Sequence, residues 1–253
     1  VETGTNVKEL YELENEINQM QDNLLKADEA ERVFFQNASH ELRTPLMSIS
    51  GYAQGIQRGV FEDAFQAAGV ILDESSRLTE VVDGILTLTR MDQMRYQVVP
   101  VELGIREYIE DQIERLEGLA YQKKIKLEFL PGDEHKIISD VMLLGRAFSN
   151  VTSNCIRYAK ETVQISVEAA EDRLKITIRD DGPGISEADL PHLFDRFYKG
   201  KNGNHGLGLS IAKRSMEYMG GNIEAESSPE GAIFMIILPQ DCRSFAVEEW
   251  TEV

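Results

Sequence analysis

Residues 39–46 read Ser-His-Glu-Leu-Arg-Thr-Pro-Leu and lie inside a long helical pattern. A single histidine on a helix is usually structural or simply exposed, so His40 alone predicts nothing. Its neighbours change this, because Glu41 can orient one imidazole nitrogen and leave the other as a nucleophile near neutral pH. Thr44 follows one turn later on the same face, and Pro45 clashes with the carbonyl of Glu41 and so frees or kinks the helix. We therefore predict that His40, Glu41 and Thr44 form a catalytic centre on a helix that can bend.

Upstream of this stretch, apolar residues recur at alternating steps of three and four, which is typical of a coiled-coil seam: Leu10, Leu13, Ile17, Met20, Leu24 and Ala27. One amphipathic helix packed on its own domain would show the same spacing. The positions outside the seam are so polar that we favour a coiled coil of two chains. Glu31 then occupies a seam position, so the pairing is expected to loosen there.

Downstream, a second helix carries Ile71, Leu78 and Ile85 at heptad spacing. Two apolar helices joined near Gly59 predict an all-α hairpin, and two hairpins from a homodimer would form a four-helix bundle. Glycines at positions 51, 55 and 59 are four apart on one face of the first helix, where each costs roughly 1 kcal/mol relative to alanine. Close helix approach and deliberate pliancy both explain these glycines.

After Met91 the pattern changes to short alternating strands and amphipathic helices. This texture predicts an α+β two-layer sandwich with a mostly antiparallel sheet. Strands are predicted at 124–130, 163–167, 174–179, 222–225 and 233–238, and helices at 105–121, 141–158 and 207–219.

Two groups of polar and glycine residues in this region suggest a nucleotide site. Asn150 and Asn154 share one helix face with Arg157 near it, and amide oxygens suit Mg²⁺, which shares its ligands with phosphates and water. Residues 180–185 read Asp-Asp-Gly-Pro-Gly-Ile after a predicted strand. A turn of this kind is common in hairpins, but here Asp180 could accept the amino hydrogens of adenine while the glycines let the backbone approach the base.

A glycine-rich segment follows an aromatic cluster at residues 194–198 and opens the last predicted helix at 206–209, Gly-Leu-Gly-Leu. Glycines before a helix N-terminus favour phosphate, because free N–H groups and the helix dipole attract anions. The segment is not a Walker A motif, since no Gly-Lys-Ser/Thr follows. The cluster itself could be plain core or the anchor of a lid.

Bulk composition excludes several classes of protein. The net charge of −18 argues against a nucleic-acid partner. Cys155 and Cys242 fit no zinc spacing and no disulfide framework, which is typical of reduced thiols in a cytosolic chain. No run of 18 apolar residues predicts a membrane span, the first residues lack the features of a signal peptide, and we expect no membrane contact by this fragment of a longer protein.

The order of these motifs resembles that of sensor histidine kinases, which combine a His-Glu-Leu-Arg-Thr-Pro dimerisation hairpin with a Bergerat-type ATP-binding domain. The resemblance covers about residues 34–238. It implies a homodimer, a response regulator receiver domain as partner, ATP with Mg²⁺, and phosphoryl transfer from His40 to an aspartate of that regulator. It also implies the cytoplasmic portion of a plasma-membrane-anchored bacterial sensor, and regulator phosphatase activity that involves Thr44.

The resemblance assigns residues and boundaries as well. Residues 1–33 are expected to form a coiled-coil signalling helix, 34–95 the dimerisation and phosphotransfer domain, 96–240 the catalytic domain, and 241–253 an acidic tail. Asn154 is the expected Mg²⁺ ligand, and the residues expected to bind ATP are Asn150, Asn154, Arg157, Tyr158, Asp180, Gly182, Gly184, Ile185, Phe197, Tyr198, Lys199, Gly206, Leu207, Gly208 and Leu209.

Three departures from the family pattern qualify these expectations. Asp181 stands where the family usually has Asn, which places a negative charge beside the nucleotide and predicts slightly weaker ATP binding. The segment 199–205 is short for an ATP lid, although Lys199, Lys201 and His205 could act as cations beside the phosphates. Cys155 stands where Ala is common.

Two other function classes remain as alternatives. Gyrase-, heat-shock- and mismatch-repair-type ATPases share the asparagine and glycine motifs but hydrolyse ATP with a glutamate on the asparagine helix. A nucleotide-binding scaffold without catalysis is the other. The presence of His40, Glu41, Asn154 and Asp180 together argues against both.

Overall fold

The computed structural model describes residues 5–92, 96–170, 172–200 and 206–245. The chain divides into two compact units, residues 1–81 and 82–253. Within the described residues, no helix has both the length and the hydropathy needed to cross a membrane.

The first unit is a helical hairpin. Helix α1 spans Thr5–Gln57 and continues past Pro45, so the proline removes one backbone hydrogen bond without ending the helix. Helix α2 spans Ala64–Asp92 and reaches into the second unit. Asp63 starts α2, because its carboxylate accepts hydrogen bonds from the N–H groups of Phe65 at 2.9 Å and Gln66 at 3.2 Å. The predicted hairpin is therefore confirmed.

Four of the six residues of the predicted coiled-coil seam lie exposed along α1, and the side chains of Leu10 and Ala27 lie outside the described part of the chain. Leu13, Ile17, Met20 and Leu24 are each more than half exposed within the single chain. Of the three glycines predicted on one face of the first helix, Gly59 is not helical, because α1 ends at Gln57 and Gly59 has φ +66°. Gly55 leaves no room for a Cβ because the Phe61 ring packs against it, whereas Gly51 has open space around it. Close approach therefore explains Gly55 and not Gly51.

The second unit is a two-layer sandwich. Its larger sheet contains β2 (Lys126–Phe129), β4 (Thr162–Ala170), β5 (Arg173–Asp180), β6 (Asn222–Ser228) and β7 (Gly231–Pro239), in the order β2-β4-β5-β7-β6. Among the described strands of this sheet, only β2 and β4 pair in parallel. Helices α3 (Ile105–Lys123), α4 (Val141–Tyr158) and α5 (Gly208–Tyr218) pack with it. The predicted α+β class is confirmed.

Alternate residues of the central strands and one face of α4 form the core. Val163 and Ile165 of β4, Ile176 and Ile178 of β5, and Phe234 and Ile236 of β7 are buried with Leu144, Phe148 and Val151 of α4. Period-2 strands thus pack on a period-3.6 helix, which is the pattern that predicted them.

Two short strands form a second sheet that the sequence pattern did not predict. β1 (Val101–Gly104) pairs antiparallel with β3 (Lys136–Ser139). Each strand has four residues, which is too short for a clear alternation, and they pair over more than thirty positions of sequence.

The expected acidic tail at 241–253 begins later than predicted. Asp241 forms a β-bridge with Ile138, Cys242 is buried, and Arg243–Phe245 form a 3₁₀ turn. These residues pack on the domain because Cys242 also donates its backbone N–H to Ile138 at 2.9 Å. The rest of that segment, with Trp250, lies outside the described residues.

Candidate functional site

His40 is exposed on α1, in the first unit. Glu41 beside it is half-buried, and Thr44 is exposed one turn later. The Thr44 hydroxyl donates a hydrogen bond to the backbone carbonyl of His40 at 3.3 Å, as helical threonines often do. An exposed imidazole on a regular helix can be reached by a phosphoryl donor, and both oxygen lone pairs of Thr44 remain available as acceptors.

The face of α1 beside His40 exposes apolar side chains. Leu46 and Met47 are more than half exposed there. This exposed face of α1 consists of Ser39, Leu42, Arg43, Leu46, Met47 and Ser50. These side chains are accessible to another protein next to His40.

The second unit holds the candidate nucleotide site, which contains the buried carboxylate of Asp180. Asp180 ends β5 and is 2% exposed. Its Oδ1 accepts hydrogen bonds from the N–H groups of Gly182 at 2.9 Å and Ala232 at 3.2 Å. Burial raises the pKa of Asp180 and the neighbouring Asp181 carboxylate adds to this, while these N–H donors and the Cys155 thiol oppose it. A carboxylate accepts about four hydrogen bonds, so Asp180 retains acceptor capacity for a ligand.

The two glycines after Asp180 allow the chain to turn tightly. Gly182 leaves no room for a Cβ because the carbonyl oxygen of Tyr158 lies against it. Gly184 has φ +73°, and a Cβ there would lie 2.6 Å from the carbonyl oxygen of Ser228. Ile185 then donates its N–H to Ser227 Oγ at 2.7 Å. The turn is therefore held between the end of α4 and the β6–β7 connection.

Asp181 has a different role from the one predicted. Its carboxylate turns towards the connection between α4 and β4 and accepts N–H groups from Lys160 at 2.7 Å, Glu161 at 3.1 Å and Thr162 at 3.0 Å. Partial burial would raise its pKa, but these three donors lower it. The negative charge that we expected beside the nucleotide is therefore stabilised by backbone N–H donors of the α4–β4 connection.

Helix α4 carries the predicted asparagines. Asn150 donates from Nδ2 to the carbonyl oxygen of Arg146 at 2.9 Å, and a Cβ at Gly208 would lie 3.0 Å from its Oδ1. Asn150 thus lies against the start of α5. Asn154, one turn later, is half-buried, and its side chain makes no hydrogen bond with the described residues. Arg157 and Tyr158, both half-buried, end the helix beside the glycine turn.

The donor set can be compared with the needs of Mg²⁺. Within the described part of the chain, no three His, Cys, Asp or Glu side chains cluster as a metal site. The Asn154 amide oxygen is available, and Mg²⁺ commonly takes one or two protein ligands and completes its shell with phosphate oxygens and water. The residues therefore fit a Mg²⁺ ion that arrives with a nucleotide.

The aromatic cluster at 194–198 contacts the residues that precede and follow the segment 201–205, which itself lies outside the described residues. Phe197 has φ +62° and donates its N–H to the carbonyl oxygen of Gly206 at 2.7 Å. The Tyr198 hydroxyl donates to Asp189 at 2.6 Å, which is the main cause of the raised pKa of Tyr198. Lys199 follows directly and is exposed. Lys201 and His205, predicted as cations beside the phosphates, lie outside the described residues.

Helix α5 begins at Gly208, shortly after this segment. Leu207 at its N-cap is buried and has no side-chain acceptor for the first N–H groups of the helix, while Leu209 packs against the core. Gly208, the first residue of α5, lies next to the Asn150 side chain of α4. Free N–H groups at a helix start favour an anion, so the structure brings the predicted phosphate cradle next to the asparagine helix.

Several supporting residues were missed by sequence reasoning. Ala232 and Ser227 hold the glycine turn from the β6–β7 hairpin, and Asp189 holds Tyr198. The Ser-Pro-Glu-Gly turn at 228–231 was a visible signal for the hairpin, but its partner in space was not. His192 also pairs with Asp195, with Nδ1 2.8 Å from Oδ2, so a second histidine has a carboxylate partner that the sequence analysis did not credit.

Comparison with known families agrees with this division of the chain. Residues 30–93 match the His Kinase A (phospho-acceptor) domain. Residues 139–241 match the Histidine kinase-, DNA gyrase B-, and HSP90-like ATPase family.

Individual relatives extend the likeness over most of the chain. Sensor histidine kinase CssS of Bacillus subtilis is 34% identical over 240 residues, which are 92% of this chain and 52% of that protein. BaeS of Escherichia coli is 31% identical over 93% of this chain and 52% of its own length. The chain therefore spans about half the length of these relatives. The crystal structure of ThkA in complex with the response regulator TrrA has a TM-score of 0.71 at 20% identity and covers 92% of this chain and 67% of its own, which is a likeness of fold.

Proposed function

Because this chain belongs to the sensor histidine kinases of two-component systems, we propose that it binds ATP and phosphorylates its own His40. One observation carries the proposal. A single chain holds an exposed histidine in the His-Glu-Leu-Arg-Thr-Pro motif and, in its other unit, a buried carboxylate, Asp180, in a glycine turn.

The second unit binds the nucleotide. Asp180 accepts the amino hydrogens of adenine at the end of β5, next to the glycine turn at 182–184. The phosphates lie towards the first N–H groups of α5, where the helix dipole favours anions. Asn154 supplies an amide oxygen to Mg²⁺, which neutralises phosphate charge when bound.

His40 attacks the γ-phosphorus through one imidazole nitrogen. A nitrogen–phosphorus bond forms, the bond from the γ-phosphorus to the bridging oxygen breaks, and ADP leaves. Glu41 orients the imidazole and favours the charged ring that develops. Phosphoryl transfer depends chiefly on positioning and charge stabilisation. In this proposal the nucleotide site contributes hydrogen bonds, and phosphorylated His40 is the covalent intermediate.

The phosphoryl group then passes to an aspartate of a response regulator. The exposed face of α1 beside His40 supports this, because Leu46 and Met47 can contact another protein next to the phosphorylated side chain. We infer that Thr44 takes part in the reverse reaction, removal of phosphate from the regulator, since it lies exposed on the same face as His40.

The chain is a homodimer in this proposal. The exposed seam of α1 supports pairing with a second copy, since an apolar stripe at heptad spacing is typical of a coiled coil. The dimer forms the cytoplasmic portion of a membrane-anchored sensor. Sedimentation at roughly tens of micromolar protein tests the dimer, and a monomer at that concentration would contradict it.

The competing ATPase function finds less support. That class uses a glutamate on the asparagine helix, and α4 contains neither Glu nor Asp between Val141 and Tyr158. The match of residues 30–93 to a phospho-acceptor domain favours transfer to histidine.

The proposal is tested by incubation with γ-labelled ATP. We expect label that is acid-labile and alkali-stable, as phosphohistidine is, and His40→Gln should abolish it. His192→Gln is the matched control, because His192 also has a carboxylate partner. Label that survives His40→Gln, or that is lost only in His192→Gln, would contradict the assignment.

A further inference from the structure

Asp181 joins two segments that both line the candidate nucleotide site. It follows Asp180 directly, and its carboxylate binds the connection that leads from α4 to β4. On one side lies the glycine turn, and on the other lies the end of α4 with Arg157 and Tyr158. Four contacts from three consecutive N–H groups, 2.7 to 3.1 Å long, hold the two together.

The position of Asp180 depends on this junction. Gly182 donates its N–H to Asp180 Oδ1 at 2.9 Å, and its Cα lies against the carbonyl oxygen of Tyr158. A shift of the α4–β4 connection would therefore move Tyr158 against Gly182, and with it the donor that orients Asp180. No other described side chain accepts a hydrogen bond from the backbone of the segment 160–162.

We propose that Asp181 is a positioning residue that sets the Asp180 carboxylate for recognition of the adenine amino group. This inference rests on the proposed ATP site. From the sequence we expected the charge of Asp181 to weaken ATP binding, whereas here Asp181 supports it. If Asp181 were only a negative charge near the phosphates, its removal would strengthen binding of anionic ATP.

The chemistry of an amide substitution gives the sign. In the Asp181→Asn variant the new amide would accept from Lys160 with its one oxygen, but its NH₂ group would face the donors of Glu161 and Thr162, where two N–H groups meet. The substitution therefore loosens the junction. The lowered pKa of Asp181 agrees, since it reflects the same donors acting against partial burial.

Discrimination between ATP and inosine triphosphate is the informative measurement. Inosine triphosphate carries a carbonyl where adenine has its amino group, so Asp180 loses its donor. We expect wild-type protein to prefer ATP by about tenfold or more, because a site built for a donor rejects a ligand that lacks it. A change in the folded fraction alters both affinities alike and leaves their ratio unchanged.

Asp181→Asn should reduce the ATP preference to roughly a third of the wild-type value or less. Asp133→Asn, an exposed acid-to-amide change in the same unit, is the matched control and should keep the preference. Affinities can be measured by displacement of a fluorescent nucleotide, which requires no phosphorylation of His40.

A second variant leaves Asp181 in place and serves if Asp181→Asn does not fold. Lys160→Pro removes the shortest donor, and the preceding Ala159 already has φ −57° and ψ 152°, which a residue before proline favours. Its control is Lys160→Ala, which keeps the N–H. A loss of preference in Lys160→Pro and not in Lys160→Ala would support the positioning role.

The other outcomes are also decisive. Wild-type preference retained within about twofold in both Asp181→Asn and Lys160→Pro would overturn this inference and leave the proposed kinase function intact. An absence of preference in the wild type would overturn the adenine site itself, and the inference with it.

Discussion

The carboxylate of Asp92 receives two hydrogen bonds from the guanidinium of Arg196, from Nη1 to Oδ2 at 2.8 Å and from Nη2 to Oδ1 at 2.7 Å. Asp92 is the last residue of α2, and Arg196 lies in the aromatic segment 194–198. The Tyr218 hydroxyl also donates to the carbonyl of Met91. Within the second unit, the end of α2 is thus tied to the aromatic segment and to the C-terminal end of α5.

A double-mutant cycle on this pair should give a small positive coupling. Both side chains are more than a third exposed, so solvent screens the pair, while its bidentate geometry favours it. For Asp92→Ala, Arg196→Ala and the double variant we expect a coupling of about 0.5–1 kcal/mol in urea unfolding, smaller at high salt. A coupling that grows with salt would contradict a screened ion pair.

Asp180→Asn should remove most of the ATP affinity. The buried carboxylate loses an acceptor that adenine needs, a loss of about 1–3 kcal/mol or roughly 5- to 150-fold in Kd. Because the pKa of Asp180 is raised, mainly by burial, the wild-type carboxylate takes up a proton at higher pH than an ordinary Asp. ATP affinity of the wild type should therefore fall on acidification at a higher pH than an ordinary Asp, with a pKa of about 3.9, would allow.

Calorimetric titration at several pH values measures this dependence. Asp180→Asn has no carboxylate there and should show a flatter profile over the same range. Equal ATP affinity in the two proteins at neutral pH would show that the first glycine motif is only a hairpin turn.

The stabilising effect of Asp181 should disappear in acid. The folded-state pKa of Asp181 is lowered, so its contribution is fully present above the unfolded pKa of about 3.9 and is lost as pH falls through the folded value. Wild type should therefore be more stable than Asp181→Asn near neutral pH, and the difference should shrink below about pH 4. Chemical unfolding at each pH measures it, and a difference that widens in acid would contradict the sign.

Gly184→Ala should destabilise the second unit. The position has φ +73° and a new Cβ would meet the Ser228 carbonyl at 2.6 Å, which predicts a loss of about 1–3 kcal/mol. Gly118→Ala is the control, because Gly118 lies within α3 with nothing within 4 Å of its Cβ site, and it should stabilise by up to about 1 kcal/mol. Equal effects of the two changes in thermal unfolding would show that the glycine turn is not constrained.

Thr44→Ala should separate two activities. Autophosphorylation of His40 should be largely kept, because among the described residues the hydroxyl bonds to the His40 carbonyl alone. Dephosphorylation of the purified cognate regulator should be lost if Thr44 orients water. Dephosphorylation at the wild-type rate would show that the hydroxyl is purely structural.

Local pattern determined much of this protein. Helix α4 spans Val141–Tyr158, as its periodicity predicts, and the strands β4, β5 and β7 fall where alternation places them. The motifs around His40, Asn154 and Asp180 could be read in the same way. These features depend on residues within one or two turns of each other, so the sequence contains their signal directly.

Other features were decided only by tertiary structure. The direction of the Asp181 carboxylate depends on three N–H groups about twenty positions earlier, and the pairing of Asp92 depends on an arginine 104 positions away. The four-residue strands β1 and β3 exist because they pair with each other, and Asp241 belongs to the fold because it meets Ile138. Hydrogen bonds over such separations leave no periodic trace in the sequence, because each partner alone is compatible with solvent. Only the packed chain brings donor and acceptor within reach.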